Sequence, residues 1–358
     1  MNVGFWRGRR VLVTGHTGFK GAWLCLWLQE LGAEVDGFGL EPPTDPSLFE
    51  AAAVGRQMGE RRGDVRDRER VREALAAVDP EVVLHMAAQP LVRASFDDPI
   101  GTYETNVLGT AHVLEALADA PAARVAIVVT TDKCYEPRPD GAPRREDDPL
   151  GGADPYSASK ACAELVTAAY RRSSSGPAIA TARAGNVIGG GDWARDRLVP
   201  DAMRAALSGG ELRVRNPDSV RPWQHVLSPL SGYLALAERL WDEPGLAGPW
   251  NFGPDAADEL PVREVADRVC ELWGEGLRWR AGGDGGPPET AILRLDSTKA
   301  RRRLGWTPAW RLDEALRATV DWHRAVAGGA DARAVCADQI SAYAAALSRK
   351  KRANVSIT

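Results

Sequence analysis

Short apolar runs alternate with helix-length stretches through the first half of the chain. Val11–Thr14 (VLVT) predicts a buried strand, followed by a glycine turn and a helix over Ala22–Leu31. Val35–Leu40 predicts a second strand, Glu69–Ala77 a helix, and Val82–His85 a third strand. A helix over Ala111–Ala118, a fourth strand over Val125–Thr130, a long helix over Tyr156–Arg171 and a strand over Ile179–Arg183 continue the alternation. Such order demands crossover connections, hence an α/β fold with a doubly wound parallel sheet covered by helices on both faces.

Beyond about residue 185 the pattern changes, with glycine, proline and arginine filling loops such as Gly189–Gly191 and Arg213–Arg221. A smaller C-terminal lobe laid over the strand ends is expected there, where open α/β sheets bind ligands. The expected organisation is a first domain over 1–185 and a substrate lobe over 186–347, with some segments returning to the first domain. Residues 348–358 read as a polar, basic tail, frayed and solvated.

Composition narrows the function classes. A length of 358 residues suits one large domain or a large and a small one. A net charge of −4 excludes a broadly basic nucleic-acid surface. No run approaches the roughly eighteen apolar residues of a membrane span, and the start MNVGFWRGRRVLVTG lacks a secretory h-region. The five cysteines are odd in number, scattered and without a CxxC pair. That suits a reducing cytoplasm and argues against a disulfide framework and a structural metal. The twelve tryptophans are expected to be packing residues.

Gly15-His16-Thr17-Gly18-Phe19-Lys20-Gly21 joins the first strand to the first helix. Glycines at this spacing permit a tight turn, a close approach to a pyrophosphate and tight packing of helix on strand, while the helix start favours an anion. The pattern predicts a Rossmann-type dinucleotide site, and its GxxGxxG spacing resembles that of short-chain dehydrogenases. The second strand ends in glycine (Phe38-Gly39-Leu40-Glu41) where an acid would hold the adenosine ribose, and no arginine follows it closely to meet a 2′-phosphate. NAD is therefore favoured over NADP. Asp64 and Val65 either bracket the adenine or are ordinary surface positions.

Tyr156-Ser157-Ala158-Ser159-Lys160 sets a phenol and an ammonium on one helix face. A tyrosine with its usual pKa near 10 is a poor base, and a nearby cation brings it into range. Asp154-Pro155 is a good helix start. Thr130-Thr131-Asp132-Lys133 ends the fourth strand at the expected cofactor cleft. A dehydrogenase needs only the Thr131 hydroxyl there. Asp132 and Lys133 add an acid and a base, which is what an elimination requires. The plain alternative is a strand-end ion pair at the surface.

With these residues in hand, the chain resembles the CDP-glucose 4,6-dehydratases. The resemblance is carried by GHTGFKGAWL, AAQPLVRASFDDP, TTDKCYE, LGGADPYSASKACAE, GNVIGGGDWARDRLVPD and RNPDSVRPWQHVLSPLSGYL, in order to about residue 310. dTDP-glucose dehydratases are similar but carry Asp-Glu where TDK stands. The resemblance implies that Gly15, Thr17, Gly18, Phe19 and Lys20 line the NAD pyrophosphate. It puts Ala87, Ala88 and Gln89 along the cofactor, with Asn106 supporting the site. Tyr156 and Lys160 would serve oxidation at C4 with Thr131 on the C4 oxygen, and Asp132 and Lys133 the elimination. Asn186, Arg197, Arg215, Arg221 and Asn251 would hold the sugar and its phosphates; guanidinium groups suit that task.

The implied reaction is dehydration of a nucleotide-linked hexose to a 4-keto-6-deoxy sugar. A nucleotide-sugar C4 epimerase, a dehydratase for a dTDP-, UDP- or GDP-linked sugar, and a non-catalytic NAD-binding protein stand as alternatives. By analogy with the class, Ala111–Ala118 and Tyr156–Arg171 are expected to pair copies into a homodimer or larger homo-oligomer.

Overall fold

In the computed structural model residues 1–138, 140–173, 176–274, 276–282 and 290–355 are described. Seven strands form one sheet: β1 (Arg10–Thr14), β2 (Glu34–Gly39), β3 (Gly59–Arg62), β4 (Val82–His85), β5 (Val125–Val129), β6 (Ala178–Ala184) and β7 (Pro249–Phe252). Their order is β7-β6-β5-β4-β1-β2-β3, and every neighbouring pair is parallel. The doubly wound α/β class is as the alternation predicts.

The helices used below are α1 (Phe19–Glu30), α2 (Arg68–Val78), α3 (Gly109–Ala116), α4 (Pro155–Ser173), α5 (Leu198–Ser208), α6 (Leu227–Asp242), α7 (Val262–Trp273), α8 (Leu312–Ala327) and α9 (Ala332–Val355). Successive strand residues face opposite sides of the sheet. Val11, Val13, Val82, Leu84, Val125 and Ile127 therefore meet α1, α6 and α9 on one face. Leu12, Val83, Ala126 and Val128 meet α2 and α3 on the other.

Helix α1 is apolar all round and buried from Gly21 to Leu28, the signature of a central helix. It is walled by α9, where Tyr343 lies edge-on to Trp27 at 5.9 Å and Arg333 donates to Gln29 Oε1 at 2.7 Å. Trp6, Trp23, Trp27, Trp250, Trp306 and Trp322 are wholly buried, so the tryptophans are largely packing residues. A third cluster joins α5, α7 and α8 through Val199, Met203, Val265, Val269, Leu312 and Leu316. In α7 the buried Val265, Ala266, Val269 and Trp273 fall at helical spacing on one face.

Several elements depart from the pattern reading. Strand β3 (GERR) carries no apolar alternation because it is an exposed edge, and charge there deters pairing with another sheet. The helix expected over Ala111–Ala118 begins earlier, running from Pro99–Tyr103 through a π turn at Glu104–Leu108 into α3. The tail taken as frayed from residue 348 continues α9 to Val355, and Lys350 Nζ donates to the Pro308 carbonyl at 2.8 Å. Ser356, Ile357 and Thr358 lie outside the described residues. From the second half, β7 adds to the sheet beside β6, and α6 and α9 cover its first face.

Four histidines are buried, His16, His85, His225 and His323, and burial lowers the imidazole of each. Burial pulls the imidazoles of His85, His225 and His323 down to about 3, helped at His85 by the charge of Lys160. They stay neutral when folded, whereas an unfolded imidazole protonates near 6.5. Their stabilisation is complete above about pH 6.5 and is lost as pH falls toward 3, by up to about 1.4 kcal/mol per histidine per pH unit. The urea midpoint should therefore fall steeply between pH 7 and pH 5, and His323→Phe should flatten that slope. A midpoint constant across this range would contradict the account.

Candidate active site at the strand ends

Gly15 follows β1 at φ +72°, and a Cβ there would stand 2.7 Å from the Ala87 backbone. A Cβ on Gly21 would collide with the Gly15 carbonyl oxygen. Only glycine fits either position. Gly18 begins α1 with no side-chain cap, and its N–H donates to the Gly15 carbonyl at 3.1 Å. The first helical N–H groups of Phe19, Lys20 and Gly21 thus face a cradle without side chains, which fits a pyrophosphate.

Thr17 Oγ1 donates to the Leu40 carbonyl at 2.9 Å and ties the turn to the end of β2. Phe19 packs against Gly189. Lys20 Nζ donates to the Tyr233 hydroxyl at 3.1 Å. Burial, reinforced by Lys160 and Arg197, pulls the Lys20 ammonium down to about 7.

The stretch after β4 is pinned by its own backbone. Ala87 N–H donates to Thr14 Oγ1 at 3.1 Å, and Gln89 N–H to Asn106 Oδ1 at 2.9 Å. Ala88 lies half-buried between them. Asn106 Nδ2 returns bonds to the Gln89 carbonyl at 3.0 Å and to Ser159 Oγ at 2.9 Å. Asn106 sits in the π turn, a distortion frequent at functional sites because it re-aims a side chain.

At the adenosine end Asp64 is paired with Arg66, whose hydrogen bond holds the carboxyl below its usual range. Val65 is buried against Gly109. Glu41 is exposed, 3.4 Å from Arg62. Arg62 also donates to the Leu40 carbonyl at 2.8 Å. The neighbouring strand β3 thus brings an arginine to the end of β2, although none follows β2 in sequence.

Pro155 opens α4, and Asp154 caps it by accepting from Ser157 N–H at 2.8 Å. One turn in, Tyr156 and Lys160 are both buried. Burial pushes the Tyr156 phenol up to about 12, opposed by a hydrogen bond with Thr131 and by the charge of Arg197. Burial pulls Lys160 down to about 8, opposed by Glu164. Lys160 Nζ donates to the Val129 carbonyl at 3.2 Å. Arg197 is thus a cation that acts on the phenol in this arrangement.

Thr131 Oγ1 donates to Asp132 Oδ1 at 3.1 Å and accepts from Lys133 N–H at 3.3 Å. Lys133 Nζ stands 3.7 Å from Asp132 Oδ1. Asp132 is only 3% exposed, and its Oδ2 has no hydrogen-bond partner among the described residues. A solvated strand-end ion pair is a poor description of a buried carboxylate with a vacant lone-pair side.

The residues expected to hold substrate are partly engaged by the protein itself. Arg197 meets Asp192 at 3.2 Å. Arg215 meets Asp196 at 2.6 Å, and Arg93 reaches the same carboxylate at 3.1 Å. Arg221 is buried and donates to the carbonyls of Val220 and Ala291. Asn186 follows β6, half-buried, and its carbonyl accepts from Gln224 N–H. Asn251 does not join them: on β7 it is wholly buried, with its amide bonded to Tyr135 and to the carbonyls of Arg144 and Asp296. Sequence reasoning missed Arg93, Tyr135, Glu164 and Arg183. Arg183 did carry a signal, as a lone cation inside the apolar run AIATARA.

A glycine-walled helix start at the edge of a parallel sheet, with Thr131, Tyr156 and Lys160 converging beside it, defines an extended short-chain dehydrogenase. The model of the NAD dependent epimerase/dehydratase family matches residues 11–245, and the chain belongs to that family. It is 48% identical over 354 residues to the CDP-glucose 4,6-dehydratase of Salmonella typhimurium, covering 96% of this chain and 99% of that one. Among solved structures it is similar to a UDP-glucose-4-epimerase from Stenotrophomonas maltophila with bound NAD and formylated UDP-arabinopyranose. That match has a TM-score of 0.79 at 25% identity and covers 90% of this chain and 100% of that one. A dTDP-glucose 4,6-dehydratase from Streptomyces venezuelae with NAD bound matches at TM-score 0.75 and 26% identity, over 90% of this chain and 99% of that one.

Tyr156→Phe should leave NAD binding, measured by calorimetry, within about twofold while slowing turnover at least about 100-fold, as for a lost general base. A loss under tenfold would remove the phenol from the chemistry.

Proposed function

We propose that this chain is a hydro-lyase that converts CDP-D-glucose to CDP-4-keto-6-deoxy-D-glucose and water. The observation that carries this reading is the buried, half-unpartnered Asp132 carboxylate beside Lys133 and Thr131. The 48% identity to the Salmonella enzyme supports the CDP-linked substrate. The UDP-glucose-4-epimerase likeness supports the shared C4 chemistry. An epimerase has no use for a second acid–base pair, which favours dehydration.

The Gly15–Gly21 turn and the Ala87–Gln89 stretch would hold NAD, which would supply a reversible hydride acceptor. Tyr156, hydrogen-bonded with Thr131, takes the proton of the sugar C4 hydroxyl. The positive charge of Arg197 favours its phenolate. Once C4 is a ketone its C5 hydrogen is acidic, and Lys133 removes it as a proton. The proton taken from C5 passes within the Lys133–Asp132 pair, and Asp132 delivers it to the hydroxyl leaving C6, so the lost atoms depart as water. Arg197, Arg215 and Arg221 would offer charge to the substrate pyrophosphate, the first two while paired with Asp192 and Asp196 respectively.

Exposed Phe96, Ile100, Leu108 and Leu165 lie on the Val92–Leu108 helical segments and α4, and support a homodimer through that face. No helix among the described residues is long and apolar enough to cross a membrane. The five unpaired cysteines support a reducing cytoplasm.

Incubation with CDP-, dTDP-, UDP- and GDP-glucose, followed by mass spectrometry, should show loss of one water from the CDP sugar above the others. Lys133→Met should still oxidise C4 but build up reduced nicotinamide with little dehydrated product. Normal dehydration by that variant would sink the assignment of the base.

A further inference from the structure

The acid–base turn 131–134 is tied down at both ends to one buried ion pair. At its start Thr130 Oγ1 donates to Glu164 Oε1 at 2.5 Å. At its end the Tyr135 hydroxyl accepts from Arg183 Nη1 at 2.7 Å and donates to Asn251 Oδ1 at 2.7 Å. Arg183 on β6 grips Glu164 on α4 with both faces of its fork, Nε to Oε1 at 2.9 Å and Nη2 to Oε2 at 2.7 Å. Thr181 adds a fourth donor to the carboxylate at 2.7 Å. Both charged side chains are 3% exposed.

We propose that Glu164 and Arg183 are positioning residues that clamp the Asp132–Lys133 turn in register with Tyr156, so that proton removal at C5 follows oxidation at C4. Helix α4 carries Tyr156 and Lys160, and Glu164 stands one turn beyond Lys160 on the same face. Thr130 therefore holds the start of the turn against the helix that bears the phenol. The bidentate pair carries that restraint across to Tyr135 at the other end. Stability alone gives little reason for an ion pair here. Desolvating two charges costs about as much as their attraction returns, and an apolar replacement is often neutral. A planar fork with fixed donor directions supplies placement instead. Reacting groups displaced by about 1 Å lose on the order of 100-fold in rate.

The clamp rests on the dehydratase reading, and its test separates the two. Arg183→Met would strand the Glu164 carboxylate and endanger folding, so the ends are cut instead. Tyr135→Phe and Thr130→Val each remove one hydroxyl, keep the side-chain volume and leave the ion pair intact. NAD-loaded enzyme is mixed with CDP-glucose, and reduced-nicotinamide absorbance and dehydrated product are followed through a single turnover. Both variants should oxidise C4 within about twofold of the unmodified rate. Both should eliminate water about 10- to 100-fold more slowly, with reduced nicotinamide accumulating. Without any substrate, amide hydrogen exchange across 131–134 should rise in both. If the folded variants oxidise and eliminate at the unmodified ratio, or lose both steps equally, the clamp is wrong while the dehydratase reading stands. If the unmodified enzyme removes no water from any of the four nucleotide sugars, the dehydratase reading and the clamp both fall.

Discussion

Seven strands that all run the same way must all end on the same edge, and that constraint organises the molecule. Helices shield both faces, so the strand ends are the place where main-chain turns and polar side chains collect. The glycine turn leaves β1 there, the Ala87–Gln89 stretch leaves β4, and Thr131, Asp132 and Lys133 leave β5. Tyr156 and Lys160 reach the same edge because α4 begins where the β5–α4 connection returns. Chemistry that needs a dinucleotide, a phenol and an acid–base pair within one cleft is served by chain direction before any particular contact is made.

Charge at this edge is unevenly compensated. Lys20 and Lys160 lie buried within each other's field, with Arg197 nearby, and burial holds both ammonium groups well below their ordinary range. The carboxylate among them, Asp132, is itself half-unpartnered. A site so arranged is held short of anions by its own packing. A pyrophosphate group is the kind of ligand whose charge completes it, and by linkage its arrival would draw protons onto the lysines.

What could be read from the sequence was whatever depends on short spacing. The glycines from Gly15 to Gly21, and Tyr156 with Lys160 one turn later, declare themselves because turn geometry and helical period act over a few residues. The parallel sheet was legible from alternation for the same reason. Strand β3 was not, because an exposed edge needs no apolar side chains. The burial of Asp132 was also invisible, since a strand-end Asp-Lys dipeptide looks the same in water and under a lobe. Asn251 was assigned to the sugar by the family resemblance alone, and the strand that carries it pairs with one far back in the chain. Nothing local tells that its amide is consumed inside the sheet. Glu164 and Arg183 belong to different elements, and only their meeting reveals what either does.

The wall that α9 builds against α1 sets an order of events during synthesis. Helix α1 is apolar on every side, so it has no stable solvent-facing surface of its own. Its covering side chains on α9, Cys336, Ile340, Tyr343 and Leu347, leave the ribosome long after α1 itself. Until they emerge, the glycine turn that opens α1 rests on a helix with one bare flank. The glycine turn is therefore completed long after it is made, and the nascent chain must keep that flank from other partners until α9 follows.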